Sequence, residues 1–142
     1  EILMANPGTD DHGIIRSDFP GGWPSDQKNA FTGRGLSDKK LQAQDFMQKL
    51  LNWRKTTPVV HHGKLRHFAP QNGVYVYFRY NKNDKVMVVL NKNKNDQKLN
   101  LQRFSEILDP GSKAKDVVSG ESYTLHRHLS VPAKTPLILK IE

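Results

Sequence analysis

The hydrophobic period changes once along this chain, and that change limits what the chain can fold into. Ala43, Phe46, Met47, Leu50 and Leu51 fall at i, i+3, i+4, i+7 and i+8, the spacing of one apolar helix face. From Lys64 onward the period drops to two, with Val74, Val76, Phe78 and Tyr80 alternating with Tyr75, Tyr77 and Arg79. The turn residues Asn81-Lys82-Asn83-Asp84 follow, then the short apolar run Val86 to Leu90, then a second polar turn from Asn91 to Asp96. Leu99 and Leu101 alternate again, and further strands are expected around 114–118, 122–126 and 137–141. Several short strands separated by polar turns predict a mainly β chain, an antiparallel sandwich or barrel, preceded by one amphipathic helix.

The helix has readable ends. Ser37 is a suitable N-cap and Asp38 sits in the first turn, where the helix dipole favours negative charge. Lys49, Arg54 and Lys55 lie toward the positively favoured end, and Pro58 biases Thr57 away from helical angles. The predicted helix runs from about Ser37 to Lys55. In the strand region, Val74, Val76, Phe78 and Tyr80 are expected to form one core face, leaving Tyr75 and Tyr77 as an exposed pair.

Residues 1–35 have a different composition. They hold six of the ten glycines and three of the eight prolines, and three basic against five acidic side chains, net −2. The remaining 107 residues hold nineteen basic and nine acidic side chains, net +10, which accounts for the overall +8. Such an opening is expected to be a long irregular loop, of a length that is usually functional or disordered. The first residue is Glu1 and no charged-then-apolar leader follows it, so the chain is expected to be processed or cut from something longer.

Several chemistries can be weighed on composition alone. The longest aliphatic run, Val86 to Leu90, is far short of the roughly 20 residues a membrane helix needs. The chain has no Cys, hence no disulfide, thiol nucleophile or Cys-ligated metal. His126 and His128 form an H-x-H pair that would share one face of a strand, but a metal needs a third ligand and usually a fourth. His61 and His62 are neighbours that would point apart in extended chain. Surface histidines and no metal are the expectation. The positive charge and the aromatics Tyr75, Tyr77, Phe78 and Tyr80 raise a single-stranded nucleic-acid binder as an alternative, because stacking on aromatics beside basic grooves is how such proteins work. No nucleic-acid motif supports it, and the lysines sit among asparagines at turn tips. Exposed aromatics equally raise a small carbohydrate-binding module. Asp10, Asp11, Asp18 and Asp26 all lie in the front loop. A glycosidase needs two carboxylates held roughly 5–5.5 Å apart for retention or 6.5–9.5 Å apart for inversion, and neighbours such as Asp10 and Asp11 offer no such rigid pair.

The front loop is more specific than its composition. Glu1-Ile2-Leu3-Met4, an Asp-rich loop and then Gly13-Ile14-Ile15-Arg16-Ser17-Asp18-Phe19-Pro20-Gly21-Gly22-Trp23 resembles the α-amylase superfamily of glycoside hydrolases, family 13. Asp26 with Asn29-Ala30-Phe31-Thr32 is similar to the neopullulanase and cyclomaltodextrinase-like members, and Leu51, Arg54, Pro58 and Gly63 resemble the family's exit from its barrel.

That resemblance implies a division at residue 57. Residues 1–57 would be the tail of a (β/α)8 catalytic barrel, comprising the loop after the last strand and the last helix at about 37–55. Residues 58–142 would be a Greek-key antiparallel β-sandwich of the domain C type. It implies a parent that cleaves α-1,4-glucosidic bonds of starch, pullulan or cyclodextrin with retention, and a piece that is structural and inactive by itself. The catalytic Asp, Glu and Asp of the family lie on earlier barrel strands, so no catalytic residue is assigned to this chain. Arg16 matches a substrate-binding Arg of the family, and Asp11 is the nearest match to its partner Asp, five residues away instead of four and without a following Pro, with Asp10 as the alternative. Trp23 and Phe31 are read as packing residues. The resemblance further implies no cofactor, an α-glucan oligosaccharide as partner through the intact enzyme, the absent barrel as the other partner, and a periplasmic or otherwise exported location. With its barrel neighbours missing, the helix's apolar face is expected to pack on the sandwich, self-associate or fray.

Overall fold

The computed structural model describes residues 2–4, 6–16 and 18–142; Glu1 and Ser17 of the family-like segment lie outside the described residues. The chain forms two compact units, residues 1–49 and 50–142.

In the first unit, a four-residue helix α1 (His12–Ile15) interrupts a run of turns, and the long helix α2 (Asp38–Lys55) begins here. The turns are held by side chains reaching backbone amides. Asp26 Oδ2 accepts from the N–H of Gly21 at 2.7 Å and of Trp23 at 3.2 Å. Asn29 Oδ1 accepts from Phe31 and Thr32, and Ala30, the buried centre of this loop, donates to the Pro20 carbonyl. Gly21 is at φ +99°, and a Cβ there would lie 2.7 Å from Asn29 Cγ, so both the backbone angle and the close approach require glycine. Among the described residues of this loop, the conformation is thus set by Asx-type turns.

α2 starts one residue after Ser37, whose carbonyl accepts from Lys40 and Leu41, and ends at Lys55 as the apolar stripe and Pro58 predict. None of its residues is buried; Ala43, Phe46, Met47 and Leu50 are half-buried and Leu51 is 48% exposed. Pro58 also starts a second short helix α3 (Val59–His62), where its fixed φ of −57° suits a helix entrance.

The second unit holds eight antiparallel strands. They are β1 (Lys64–Gln71), β2 (Val74–Tyr80), β3 (Lys85–Asn91), β4 (Gln97–Asn100), β5 (Ser112–Asp116), β6 (Ser122–Leu125), β7 (His128–Val131) and β8 (Pro136–Ile141). Six form one sheet in the order β1-β2-β3-β8-β5-β6, and β4 and β7 form a second. The registers explain the core. Val76 pairs with Val89, which pairs with Leu137, and Phe78 pairs with Met87, which pairs with Leu139. These rows share one face and pack with Leu101 and Phe104 of a 3-10 turn (Leu101–Phe104) and with Leu129 and Val131 of β7. Phe78 and Phe104 are fully buried, with Phe68 edge-on to Phe104 at 4.8 Å. Burial of each such side chain contributes about 1.5–3 kcal/mol.

The opposite face carries the next row of the pleat. Tyr77 pairs with Val88, which pairs with Ile138, and this row is covered by Val59 and Val60 of α3 and by Leu50 and Trp53 of α2. The expectation of an exposed Tyr75 and Tyr77 therefore needs correcting. Both are half-buried, Tyr77 belongs to this second core, and their rings lie 5.7 Å apart and tilted by 36°. The sheet has two apolar faces because helical segments cover its outer side, a condition the period-two pattern alone does not reveal.

Three further differences have local causes. Leu101 opens a 3-10 turn instead of continuing a strand, because Asn100 Oδ1 accepts from the Gln102 N–H and caps it. His126 and His128 do not share a strand; β6 ends at Leu125 and β7 begins at His128, with the turn between them. Asn91, expected in a solvated turn, is 5% exposed, and its amide donates to the carbonyls of Asn95, Val131 and Pro132.

Candidate functional site

Asp11 and Arg16 sit at the two ends of α1. Asp11 is its N-cap: Oδ1 accepts from the N–H of Gly13 at 2.8 Å and of Ile14 at 3.4 Å. Its own N–H donates to Thr9 Oγ1 at 3.1 Å. Arg16 is the C-cap, with φ −100°, ψ 53° and its N–H on the His12 carbonyl. Both side chains are exposed. One turn of helix therefore fixes the backbone on which the two stand. A carboxylate partly committed to capping keeps lone pairs for a further donor, and a guanidinium supplies only donors.

The other front-loop acids divide. Asp26 is committed to the loop's own amides, and its carbonyl accepts from Arg34 Nη2 at 2.9 Å; Asp10 and Asp18 are exposed. Trp23 is 63% and Phe31 76% exposed, with Phe31 touching Phe19 edge-on at 5.7 Å. Phe31 thus packs only on its Phe19 edge, and Trp23 stands largely exposed among the described residues.

In the second unit the buried polar groups join turns to strands. Asp116 is 4% exposed; Oδ2 accepts from Ser119 N and Oγ, and Oδ1 from the Ile138 N–H. The signal for Asp116 in the sequence is an Asp three residues before a Ser, and for Asn91 an Asn ending an apolar run, both Asx-turn patterns. The perturbed titrations are also local. The guanidinium of Arg66, bonded to Glu106 through Nε at 3.0 Å, holds that carboxyl below its ordinary range. Burial, then its bond to Glu121 at 2.8 Å, pushes the Tyr123 phenol up to about 12. Desolvation, then the charges of Lys98 and Arg127, lowers the His128 imidazole below its ordinary range. None of these groups forms a nucleophile–base pair with another among the described residues, and no group of three or more His, Asp or Glu there could hold a metal. No helix among them is long and apolar enough to cross a membrane.

Two antiparallel sheets around a main core, with the buried carboxylate and amide tying turns to neighbouring strands, define a structural sandwich domain. Residues 65–140, more than half of the chain, match the family model described as the cyclo-malto-dextrinase C-terminal domain. The chain belongs to that family. Solved structures agree on the fold. An α-amylase from Anoxybacillus superposes with a TM-score of 0.63 at 18% identity, over 76% of this chain and 24% of that one. AmyP, solved with maltose, gives 0.66 at 15% identity over 78% and 22%. An α-amylase from Geobacillus thermoleovorans, solved with acarbose, gives 0.64 at 14% identity over 76% and 24%. This chain thus spans about a quarter of the length of the enzymes it resembles.

Proposed function

We propose that the chain is the C-terminal portion of a neopullulanase-like enzyme that cleaves α-1,4-glucosidic bonds in starch, pullulan or cyclodextrin with retention. Residues 1–57 would complete its catalytic barrel and residues 58–142 would form its sandwich. The observation that carries this reading is the cyclo-malto-dextrinase C-terminal match over residues 65–140, joined to a likeness that covers only 22–24% of the related enzymes. The half-buried helix stripe supports it, since Leu51 at 48% exposed is an apolar contact left without cover. In the parent, Arg16 and Asp11 would hydrogen-bond a glucose unit away from the bond being cut, and the Asp/Glu/Asp chemistry would come from earlier in the chain. An exported, starch-utilising location is part of the same reading.

The test is Arg16→Ala in the full-length enzyme, with Asp11→Ala beside it. Loss of a charge-assisted hydrogen bond to substrate should reduce kcat/KM for maltooligosaccharides about tenfold. Unchanged kinetics would remove both residues from the site.

A further inference from the structure

A groove of about 510 Å3 opens on the second unit between the 3-10 turn, the loop before β5 and the β6–β7 turn. That volume lies in the range of small-ligand sites, about 300–1,000 Å3. From the structure we infer that this groove is a second, non-catalytic binding site for an α-glucan, taking one or two glucose units; the choice of ligand rests on the function proposed above.

Three observations carry this. First, the groove is preformed, because backbone hydrogen bonds tie its sides together. The Leu101 N–H donates to the Arg127 carbonyl at 2.9 Å, and the Gly111 N–H to the Leu125 carbonyl at 2.7 Å. A site already in shape has little ordering entropy to lose on binding. Second, its exposed rim offers both kinds of hydrogen bond. Arg127 only donates, Asp109 only accepts, and Gln102 and Ser105 do both. Sugar hydroxyls likewise donate and accept, so adjacent hydroxyls can be met from both sides. Third, the charges oppose each other. Asp109, whose side chain is 88% exposed and pairs with Lys85 at 3.8 Å, and Arg127 put both signs of charge on one rim. Any ion drawn by one of them is repelled by the other, and no uniform field favours an anion or a cation. A neutral polyol suffers no such repulsion. Pro110 gives the rim an exposed apolar ring, and Leu101, Leu108 and Leu125 close the groove from beneath.

The site is distinct from the tyrosine pair, which lies on β2 and is half-buried. It is also distinct from Asp11 and Arg16, which stand in the first unit. A domain holding such a groove would tether a long glucan while its end is processed, raising local substrate concentration.

The test is a titration of maltotriose into the 142-residue chain, followed by 15N–1H NMR. Saturable shifts at the amides of Gln102, Ser105, Gly111 and Arg127 at millimolar concentration are expected. Arg127→Ala and Gln102→Ala, both at exposed positions, should each weaken binding at least about fivefold, with the remaining spectrum unchanged. Absence of shifts, shifts confined to Tyr75 and its neighbours, or variants that bind as the parent chain does would overturn the proposal. Inorganic phosphate is the second probe: shifts with phosphate but none with maltotriose would make the groove an anion site and equally overturn it. Hydrolysis by the full-length enzyme is measured separately, so failure of this site leaves the proposed activity standing, and failure of the activity is seen without it.

Discussion

The carboxylate of Asp116 accepts the backbone N–H of Ile138 at 3.1 Å, fixing the turn after β5 to the middle of β8. The same carboxylate holds Ser119 through two bonds of 3.0 and 2.6 Å. Asp116→Ala would strand a buried amide as well as remove hydrogen bonds to a charged group. A loss of about 3 kcal/mol is expected in urea unfolding of this chain. Asp116→Asn keeps one acceptor for Ile138 and should cost less. A loss below about 1 kcal/mol in the alanine variant would contradict the role given to this residue.

Gly63 offers a case where two effects compete. Its φ of −69° is ordinary, so replacement by alanine would by itself stabilise by about 0.4–1 kcal/mol through the unfolded chain. A Cβ at that position, however, would overlap the Val59 carbonyl oxygen and lie 2.9 Å from that of Tyr80, both backbone atoms. Overpacking of this kind costs roughly 1–3 kcal/mol, so Gly63→Ala should lower the unfolding midpoint. A raised midpoint would show that α3 can move off β2.

Phe78 and Leu65 separate core from surface. Phe78 is fully buried, whereas Leu65 is 56% exposed on β1. Phe78→Ala should cost about 3–5 kcal/mol and Leu65→Ala only about 0.5 kcal/mol in this chain. Equal losses, read by thermal or denaturant unfolding, would place the core elsewhere.

The Arg66–Glu106 pair predicts a pH dependence with a definite sign. Arg66 lowers the folded-state pKa of Glu106, so the contribution is present above the unfolded carboxylate value of about 4.3. It is lost as pH falls through the lower, folded value. Carboxyl 13C NMR of Arg66→Ala should move the Glu106 midpoint up toward that ordinary value, with little change in stability at pH 7, because the pair is exposed. An unmoved midpoint would mean that the pair does not persist in solution.

How much of this was readable depends on how each element is stabilised. α2 was readable because its apolar positions, first-turn Asp38 and following Pro58 are all local signals. β2 was readable because its alternate side chains are buried, and β3 because it is a central strand whose run from Val86 to Val89 is buried on both faces. β1 was harder to delimit: it is the sheet's edge, largely exposed and containing Pro70, so it carries little hydrophobic signal. β7 has only four residues, and its place was obscured by an H-x-H spacing that straddles a turn. Asp11 and Arg16 were found by resemblance; that α1 lies between them follows from hydrogen bonds no periodicity marks. The groove was invisible for the same reason, since Gln102, Asp109 and Arg127 are brought together by backbone bonds between distant turns.

The central claim is that this chain is a structural piece of an α-glucan hydrolase. The most direct measurement follows the anomeric 1H NMR signals of product while maltoheptaose is incubated with the full-length enzyme and, in parallel, with residues 1–142 alone. The account predicts that the full-length enzyme releases α-anomer first, as retention requires, and that the 142-residue chain releases nothing. Release of β-anomer first, no cleavage by the full-length enzyme, or turnover by the isolated chain would contradict it.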